Sequence, residues 1–161
     1  MDTITAAALS VDNPLIKTLG LLIDNSEIYL AIIIALTLCG EQRVGKLKKI
    51  ALALILTLTF VLLLKPLIGE DRPCVGQPGC PWGYSFPSNH AAIAFTLMIA
   101  FIDKKSFPFY LLFALFVAFT RLNLGVHTFL DIAGALPVAV ISYYITDSLW
   151  KSWESKHKVK K

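Results

Sequence analysis

Five apolar stretches dominate the chain, separated by short polar or charged connections. They cover residues 28–39, 50–64, 91–102, 107–120 and about 128–150. Several are shorter than the ~20 residues that cross a bilayer as a helix, so flanking residues must complete each crossing. The pattern predicts an all-α fold: a polytopic membrane helix bundle of about five spans, forming a single domain over residues 1–161.

The first 26 residues show a different, amphipathic pattern. Asn13 followed by Pro14 suits the N-cap and first turn of a helix. Beyond them one face is apolar and comprises Leu15, Ile16, Leu19, Leu22 and Ile23. We expect an amphipathic helix lying in the membrane interface over residues 1–26. A helix packed beside the bundle is the alternative.

Composition supports a membrane protein and excludes several other classes. Of the 161 residues 56% are hydrophobic and 16% are charged, whereas globular proteins carry about 25% charged residues. A disordered chain, a coiled coil and most soluble domains are therefore excluded. The net charge of +4 does not indicate a nucleic-acid partner, because the cations cluster between apolar stretches and form no basic face interleaved with aromatic residues.

The distribution of Lys and Arg predicts the orientation in the membrane. With five spans, segments 40–49, 103–106 and 151–161 share one side, and they hold eleven of the 15 basic residues. The other side receives Lys17, Lys65, Arg72 and Arg121. Because short cytoplasmic loops are enriched in Lys and Arg, we expect the N-terminus outside and a basic cytoplasmic tail at 151–161. This places the protein in the cell membrane.

Several polar residues meet at the predicted outer face. Three cations, Lys65, Arg72 and Arg121, reach that level with no acidic cluster of equal size, which favours a pocket for a multiply charged anion. Two histidines, His90 and His127, lie at the same level. Singly, each cation has the simpler interpretation of an interfacial anchor.

Two local patterns add chemistry to this pocket. Ser88 is placed to begin a helix, whose first N–H groups favour phosphate. His127 and Asp131 are four residues apart, so on a helix the carboxylate can fix the imidazole tautomer. An oriented imidazole together with His90 suits a nucleophile paired with a general acid. No Cys/His cluster or carboxylate set has metal-ligand spacing, so we expect neither a metal nor another cofactor.

The order and spacing of these residues resemble a known family signature. Its parts here are Lys65-(six residues)-Arg72-Pro73, Pro87-Ser88-Asn89-His90, and Thr120-Arg121-(five residues)-His127-(three residues)-Asp131. The set resembles the type 2 phosphatidic acid phosphatase superfamily, membrane relatives of vanadium haloperoxidases and bacterial acid phosphatases. Asn89 stands where that family usually has Gly, and Thr120 where it usually has Ser.

The resemblance implies a role for each matched residue. His127 attacks phosphorus and forms a phosphohistidine, Asp131 orients it, and His90 protonates the leaving oxygen. The phosphoryl oxygens are held by Lys65, Arg72, Ser88, Arg121 and the backbone N–H of Asn89. The Asn89 donor is retained if that position does not need a positive φ.

The resemblance also suggests a substrate class. The compact length and the thirteen residues between Pro73 and Pro87 favour the short branch that hydrolyses polyprenyl diphosphates such as undecaprenyl diphosphate. A phosphatidylglycerophosphate or phosphatidic acid phosphatase, and a lipid phosphotransferase with the same site, are alternatives. A transporter or channel would carry charges at mid-span, whereas the charged residues here lie at one membrane level. Lipid tail and oligomeric state are left open.

The cysteines are too few for a disulfide scaffold. Cys74 and Cys80 share a short loop rich in Gly and Pro. They can pair if that loop faces an oxidising compartment, so we expect a disulfide there in the outward orientation.

Overall fold

The computed structural model describes residues 2–158, and within them it contains seven helices and no strand. The helices are α1 (Thr3–Leu9), α2 (Pro14–Asp24), α3 (Ser26–Gly40), α4 (Val44–Ile68), α5 (Asn89–Ala100), α6 (Phe107–Asn123) and α7 (Phe129–Lys158). The all-α fold predicted from the sequence is confirmed.

Helix α5 lies at the centre of the bundle and packs against α4, α6 and α7. Seven of its twelve residues are buried, among them Ala91, Ala92 and Ala94. Small side chains let helix backbones approach closely, which favours packing in membranes, where apolar burial alone gives little driving force. Helix α5 is the shortest of helices α3 to α7, and more than half of its residues are buried.

The outer surface of the bundle is apolar. Large side chains lie exposed along α4, α6 and α7, including Ile55, Leu62, Leu112, Leu115, Ile141 and Leu149. An exposed apolar belt of this kind suits hydrocarbon rather than water. It agrees with the membrane location predicted from composition.

Only some of the helices meet the length expected of a full span. In the described chain α4 and residues Phe129–His157 of α7 are long and apolar enough to cross a membrane. Helices α1 and α2, bent by 110°, count together as a third, broken candidate. Helices α3, α5 and α6 are apolar but have 15, 12 and 17 residues. The arrangement of five spans stays a prediction.

Several helix ends differ from the predicted apolar stretches, and α4 for example begins at Val44 rather than at residue 50. The second span was expected to end at Lys65-Pro66, but α4 continues to Ile68 and closes at Gly69 with φ 67°. A proline in the last turn removes one hydrogen bond and leaves the remaining ladder intact. Helix α5 ends at Ala100 rather than residue 102, and α7 continues past Trp150 into the predicted tail. Lys160 and Lys161 of that tail lie outside the described residues.

The N-terminal region contains one more helix than expected. Asn13 caps α2, as predicted, by accepting from the N–H groups of Leu15 and Ile16. Helix α1 precedes it and was not predicted. Both pack on α6, and α2 buries Gly20 and Ile23, so the alternative of a helix beside the bundle describes α2. Its position relative to a membrane interface stays a prediction.

Candidate active site

The residues singled out in the sequence gather at one end of the bundle because four helices present their ends there. Helix α4 contributes Lys65 from its last turn, and Arg121 lies in the last turn of α6. Ser88 caps α5, and Asp131 lies in the first turn of α7. Residues 69–88 connect α4 to α5 across this end and carry Arg72.

A buried imidazole and carboxylate form the centre of this site. The Nδ1 atom of His127 lies 3.2 Å from Oδ2 of Asp131. His127 is 3% exposed and Asp131 is fully buried. The same carboxylate oxygen accepts from the backbone N–H of Thr128 at 2.7 Å. The predicted contact is therefore present, although His127 lies in the turn before α7 and does not share a helix with Asp131.

The contact with Arg72 shows which nitrogen of the His127 ring carries the proton. Its Nη1 lies 3.2 Å from Nε2 of His127, and a guanidinium has donors but no acceptor. Nε2 must therefore accept, which assigns the proton of a neutral ring to Nδ1, facing Asp131. The lone pair of Nε2 points toward the cation, where an anionic group bound by Arg72 would lie.

Burial also keeps the ring neutral. It lowers the pKa of the His127 imidazole to about 4, even though the hydrogen bond to Asp131 raises this pKa. The positive charges of Arg72 and Lys65 lower it further. At neutral pH the ring is unprotonated at Nε2, which is the form that can attack phosphorus.

Two cations flank the imidazole, and within residues 2–158 neither forms an ion pair with a carboxylate. Lys65 donates from Nζ to the backbone carbonyls of Tyr84 at 2.5 Å and Ser85 at 3.1 Å. Arg72 donates to the carbonyls of Gly83 at 3.0 Å and Val126 at 3.1 Å. Their charge is therefore held in place by neutral dipoles, which leaves it available to an anion.

The start of α5 is tied to the start of α7. Ser88 accepts from the N–H of Ala91 with its side chain and donates its own N–H to the carbonyl of Asp131 at 3.2 Å. Asn89 follows as the first helical residue, and no residue other than Gly has a positive φ in the described chain. The Gly expected at position 89 is therefore not required by the backbone here.

His90 makes its contacts with α3. The Tyr29 ring lies 4.6 Å from the His90 ring, centroid to centroid, and its hydroxyl donates to the His90 carbonyl at 2.8 Å. Tyr29 is buried. It was not singled out in the sequence, because a lone tyrosine in an apolar stretch gives no signal of a contact 61 residues away.

Arg121 is also held by the N-terminal region. Its Nη1 donates to Asp24 at 2.6 Å and its Nη2 to the carbonyl of Gly20 at 2.8 Å, while the buried Nε has no partner among the residues that the structure describes. The charges of Asp131, Asp24 and Arg121 all affect the pKa of Arg72, which burial lowers. Arg121 and His90 make no direct hydrogen bond to His127 in the described chain.

Cys74 and Cys80 are joined by a disulfide in the connecting loop, with Cα atoms 5.6 Å apart. Their oxidation in the cell stays a prediction. Farther along this loop, the Phe86 ring packs against Gly134 of α7 so closely that a Cβ there would overlap it. Among residues 2–158 no three His, Cys, Asp or Glu side chains are grouped as metal ligands.

The sequence of this site matches a family description. The model of the PAP2 superfamily matches residues 46–154, which include every residue of the three-part signature. The chain belongs to the PAP2 superfamily. The resemblance found in the sequence is thus confirmed, and α1, α2 and α3 lie outside the matched PAP2 segment.

Curated relatives cover parts of the chain. Sphingosine-1-phosphate phosphatase 2 of Homo sapiens is 36% identical over 77 residues, 42% of this chain and 19% of that protein. The putative undecaprenyl-diphosphatase YbjG of Escherichia coli (strain K12) is 31% identical over 116 residues, 67% of this chain and 59% of that protein. The chain therefore aligns with less than two thirds of the length of either relative.

Solved PAP2-like structures share the fold over nearly the whole chain. LpxE of Aquifex aeolicus superposes with a TM-score of 0.73 at 22% identity, covering 90% of this chain and 93% of that one. A transmembrane PAP2-type phosphatidylglycerolphosphate phosphatase of Bacillus subtilis gives a TM-score of 0.68 at 18% identity, covering 92% and 83%. At these identities the likeness concerns the fold.

Proposed function

We propose that this protein is an integral-membrane lipid phosphatase that hydrolyses a polyprenyl diphosphate to the monophosphate through a phosphohistidine, at the outer face of the cell membrane. The observation that carries the proposal is the geometry of the His127 ring. Its Nε2 faces Arg72 at 3.2 Å while Asp131 holds Nδ1. A neutral nucleophile beside fixed cations suits attack on a phosphate ester or anhydride.

The reaction proceeds in two balanced steps. In the first, Nε2 of His127 forms a bond to phosphorus as the P–O bond to the leaving group breaks, and His90 gives its proton to that oxygen. Asp131 stabilises the positive charge that develops on the ring through Nδ1–H. In the second, His90 takes a proton from water, which attacks phosphorus and releases inorganic phosphate with restoration of His127.

The phosphoryl oxygens carry negative charge in both steps. Lys65, Arg72 and Arg121 supply three fixed positive charges for them. The first N–H groups of α5, after Ser88 and including that of Asn89, add donors at a helix N-terminus. Because these groups are preorganised, we propose that turnover needs no divalent metal.

An apolar groove beside His90 supports a lipid substrate. It has a volume of about 370 Å³ and lies between α3, α4 and α5. Its apolar lining includes Leu30, Ile33, Leu54, Leu58 and Ile93, and Asn89 and His90 lie at its margin. A tail in this groove would remain among apolar side chains while the headgroup reaches His127.

Two observations favour different headgroups. The relative with the longer aligned segment is named an undecaprenyl-diphosphatase, which supports a polyprenyl diphosphate. The relative with the higher local identity is named a sphingosine-1-phosphate phosphatase, which supports a lipid monophosphate as the alternative. A phosphatidylglycerophosphate or phosphatidic acid phosphatase, or a transferase that replaces water with a lipid acceptor, would use the same first step.

The test is phosphate release by the purified full chain in detergent. The substrates are a polyprenyl diphosphate, the polyprenyl monophosphate, phosphatidic acid, phosphatidylglycerophosphate and a sphingoid phosphate, each with and without EDTA. We expect the highest kcat/KM on the polyprenyl diphosphate and no effect of EDTA. Activity confined to monophosphates would favour the alternative, and loss in EDTA restored by Mg²⁺ would exclude the metal-independent mechanism.

The proposed orientation has its own test. Trp82 is fully exposed in the connecting loop at the site end, and Lys105 is exposed in the loop between α5 and α6 at the other end. In intact cells, an impermeant thiol reagent should label a Trp82→Cys variant and spare a Lys105→Cys variant. The reverse pattern would place the site on the cytoplasmic side.

A further inference from the structure

Ser85 contacts both members of the His127–Asp131 pair. It lies in the loop before α5, outside the three-part signature, and is fully buried. Its Oγ lies 2.5 Å from Oδ2 of Asp131 and 3.3 Å from Nδ1 of His127. The arrangement is therefore a triangle of hydroxyl, carboxylate and imidazole.

The direction of each hydrogen bond in this triangle follows from its chemistry. Nδ1 of the neutral His127 ring carries the proton, since Nε2 accepts from Arg72. An ionised carboxylate has no donor, so the Ser85 hydroxyl donates to Asp131. A lone pair of the hydroxyl is then left facing Nδ1–H, and Ser85 and Asp131 share that proton as acceptors.

The backbone of Ser85 is fixed from two sides. Its N–H donates to the carbonyl of Glu70 at 2.7 Å, and its carbonyl accepts from Lys65 at 3.1 Å. The next residue, Phe86, packs on Gly134 of α7. A hydroxyl anchored in this way can restrain the groups that it contacts.

We propose that Ser85 is a positioning residue, which acts through Asp131 and His127 to hold the imidazole in its Nδ1–H tautomer with Nε2 directed at the phosphoryl group. The proposal rests on the proposed function of His127 as nucleophile. Oδ2 of Asp131 accepts hydrogen bonds from Ser85, His127 and the backbone N–H of Thr128. The buried Oδ1 has no partner in the described part of the chain. Loss of the hydroxyl would free the carboxylate to turn about its broad terminal torsion.

The kinetic test uses Ser85→Ala, Ser85→Cys and a matched control. Ser142→Ala removes another fully buried hydroxyl, which donates to the Val138 carbonyl within α7 at 2.7 Å. On the best substrate we expect Ser85→Ala to lower kcat about 10- to 100-fold with KM changed less than about 2-fold. Ser85→Cys, which keeps a weak donor of similar size, should lie between Ser85→Ala and wild type, and Ser142→Ala should match wild type.

A double-mutant cycle tests whether Ser85 acts through the carboxylate. The combined loss in Ser85→Ala with Asp131→Asn should be clearly smaller than the product of the two single losses, because both remove the same restraint. Multiplicative losses, wild-type kcat in Ser85→Ala, or an effect confined to KM would overturn the proposal. No phosphate release by wild type on any substrate would instead overturn the proposed function.

A spectroscopic readout does not depend on turnover. In wild-type protein labelled with ¹⁵N-histidine, with His90→Gln and His157→Gln proteins used for assignment, the His127 signals at neutral pH should be those of a neutral ring protonated at Nδ1. An Nε2–H ring in wild type would overturn the proposal. In folded Ser85→Ala we expect the Nδ1 signal of His127 to shift because its contact with the hydroxyl is lost, and a spectrum identical to wild type would also overturn the proposal.

Discussion

The two ends of the bundle carry the same kinds of charged residues in opposite arrangements. At the end away from the site, every cation that contacts a carboxylate shares it with a second cation. The pairs are Arg43 and Lys104 with Glu41 at 3.0 Å, and Lys49 and Lys151 with Asp147 at 2.7 Å. The positive charges of these four cations are therefore compensated within the protein.

At the site end the cations have neutral partners. Lys65 and Arg72 donate to backbone carbonyls, and Arg72 also donates to the His127 ring. Asp131, whose charge acts on both cations, is already the acceptor of three other groups. Arg121 is the exception, because it contacts Asp24. This end therefore holds fixed positive charge that a phosphate can neutralise.

The comparison teaches that residue type alone does not distinguish a binding site from a stabilising network. A buried or half-buried cation that is held by dipoles is costly until an anion arrives, whereas a paired cation contributes a modest stabilisation. Substitutions at the site end should therefore affect turnover with little effect on folding. Substitutions at the other end should do the reverse.

The largest effect is expected at the nucleophile. His127→Ala should remove the covalent intermediate and abolish phosphate release from every substrate, because within residues 2–158 His127 is the histidine whose Nε2 accepts from Arg72. The measurement is acid-quenched trapping of ³²P-labelled protein together with phosphate release. His157→Ala, which changes an exposed histidine near the end of α7, is the matched control. Phosphohistidine that persists in His127→Ala would show that the roles are wrong.

The second histidine should show an effect that depends on the leaving group. An alkoxide leaving a lipid monophosphate is far more basic than a phosphate leaving a diphosphate, so it depends more on a proton donor. His90→Ala should lose about 10²–10⁴ in rate on a monophosphate and clearly less on a diphosphate with the same tail. The measurement is the ratio of kcat values on the two substrates. Equal losses would exclude His90 as the general acid.

The sequence predicted which site residues lie near helix ends better than it predicted the contacts between the helices. The positions of Lys65, Ser88 and His127 at helix ends followed from the lengths of the apolar stretches and from N-cap chemistry. The local spacing of four residues also placed Asp131 beside His127. These features depend on neighbours in the chain, so pattern and spacing were sufficient.

The contacts that the sequence did not predict are long-range. Asp24 meets Arg121 across 97 residues, and Ser85 meets Asp131 across 46. A single polar residue in a loop or at a helix end has no periodicity, and its partner depends on how the helices pack. Helix α1 was not predicted because it has only seven residues, too few to show a clear helical periodicity. Its N-cap is Asp2.

Arg121 offers a sharper test of the difference between the two ends, because it lies at the site end and yet forms an ion pair with the carboxylate of Asp24. Nη1 and Nη2 of Arg121 each donate one hydrogen bond, to Asp24 and to the Gly20 carbonyl, while the buried Nε–H has no partner among residues 2–158. We propose that the guanidinium, oriented in this way, binds the substrate phosphate with its remaining N–H groups. We expect Asp24→Asn to lower kcat/KM about 10-fold by loosening this orientation. The measurement is kcat/KM for the best substrate, with Asp12→Asn, an exposed ion-pair residue of the same segment, as the control. A rise in kcat/KM would instead show that Asp24 competes with phosphate.

The smallest effect on turnover is expected at the opposite end. Hydrogen bonds from Arg43 hold the pKa of the Glu41 carboxyl well below its ordinary value of 4.5, and Lys104 adds to the effect. This contribution to stability is fully present above about pH 4.5 and is lost as pH falls through the lowered value. Glu41→Gln should cost about 1 kcal/mol, or roughly 2–4 °C in Tm, because Arg43 is largely exposed and solvent screens the pair.

The same Glu41→Gln variant distinguishes a stabilising network from a site. Thermal unfolding in detergent should show the largest difference from wild type at neutral pH. The difference should shrink as pH falls below about 4.5, because Glu41 then takes up a proton in the unfolded wild-type chain while it stays ionised in the folded one. Phosphate release at a temperature well below Tm should be unchanged, since Glu41 contacts nothing at the site end. A fall in kcat without a fall in Tm would mean that the two ends of the bundle are coupled, and the division between them would have to be abandoned.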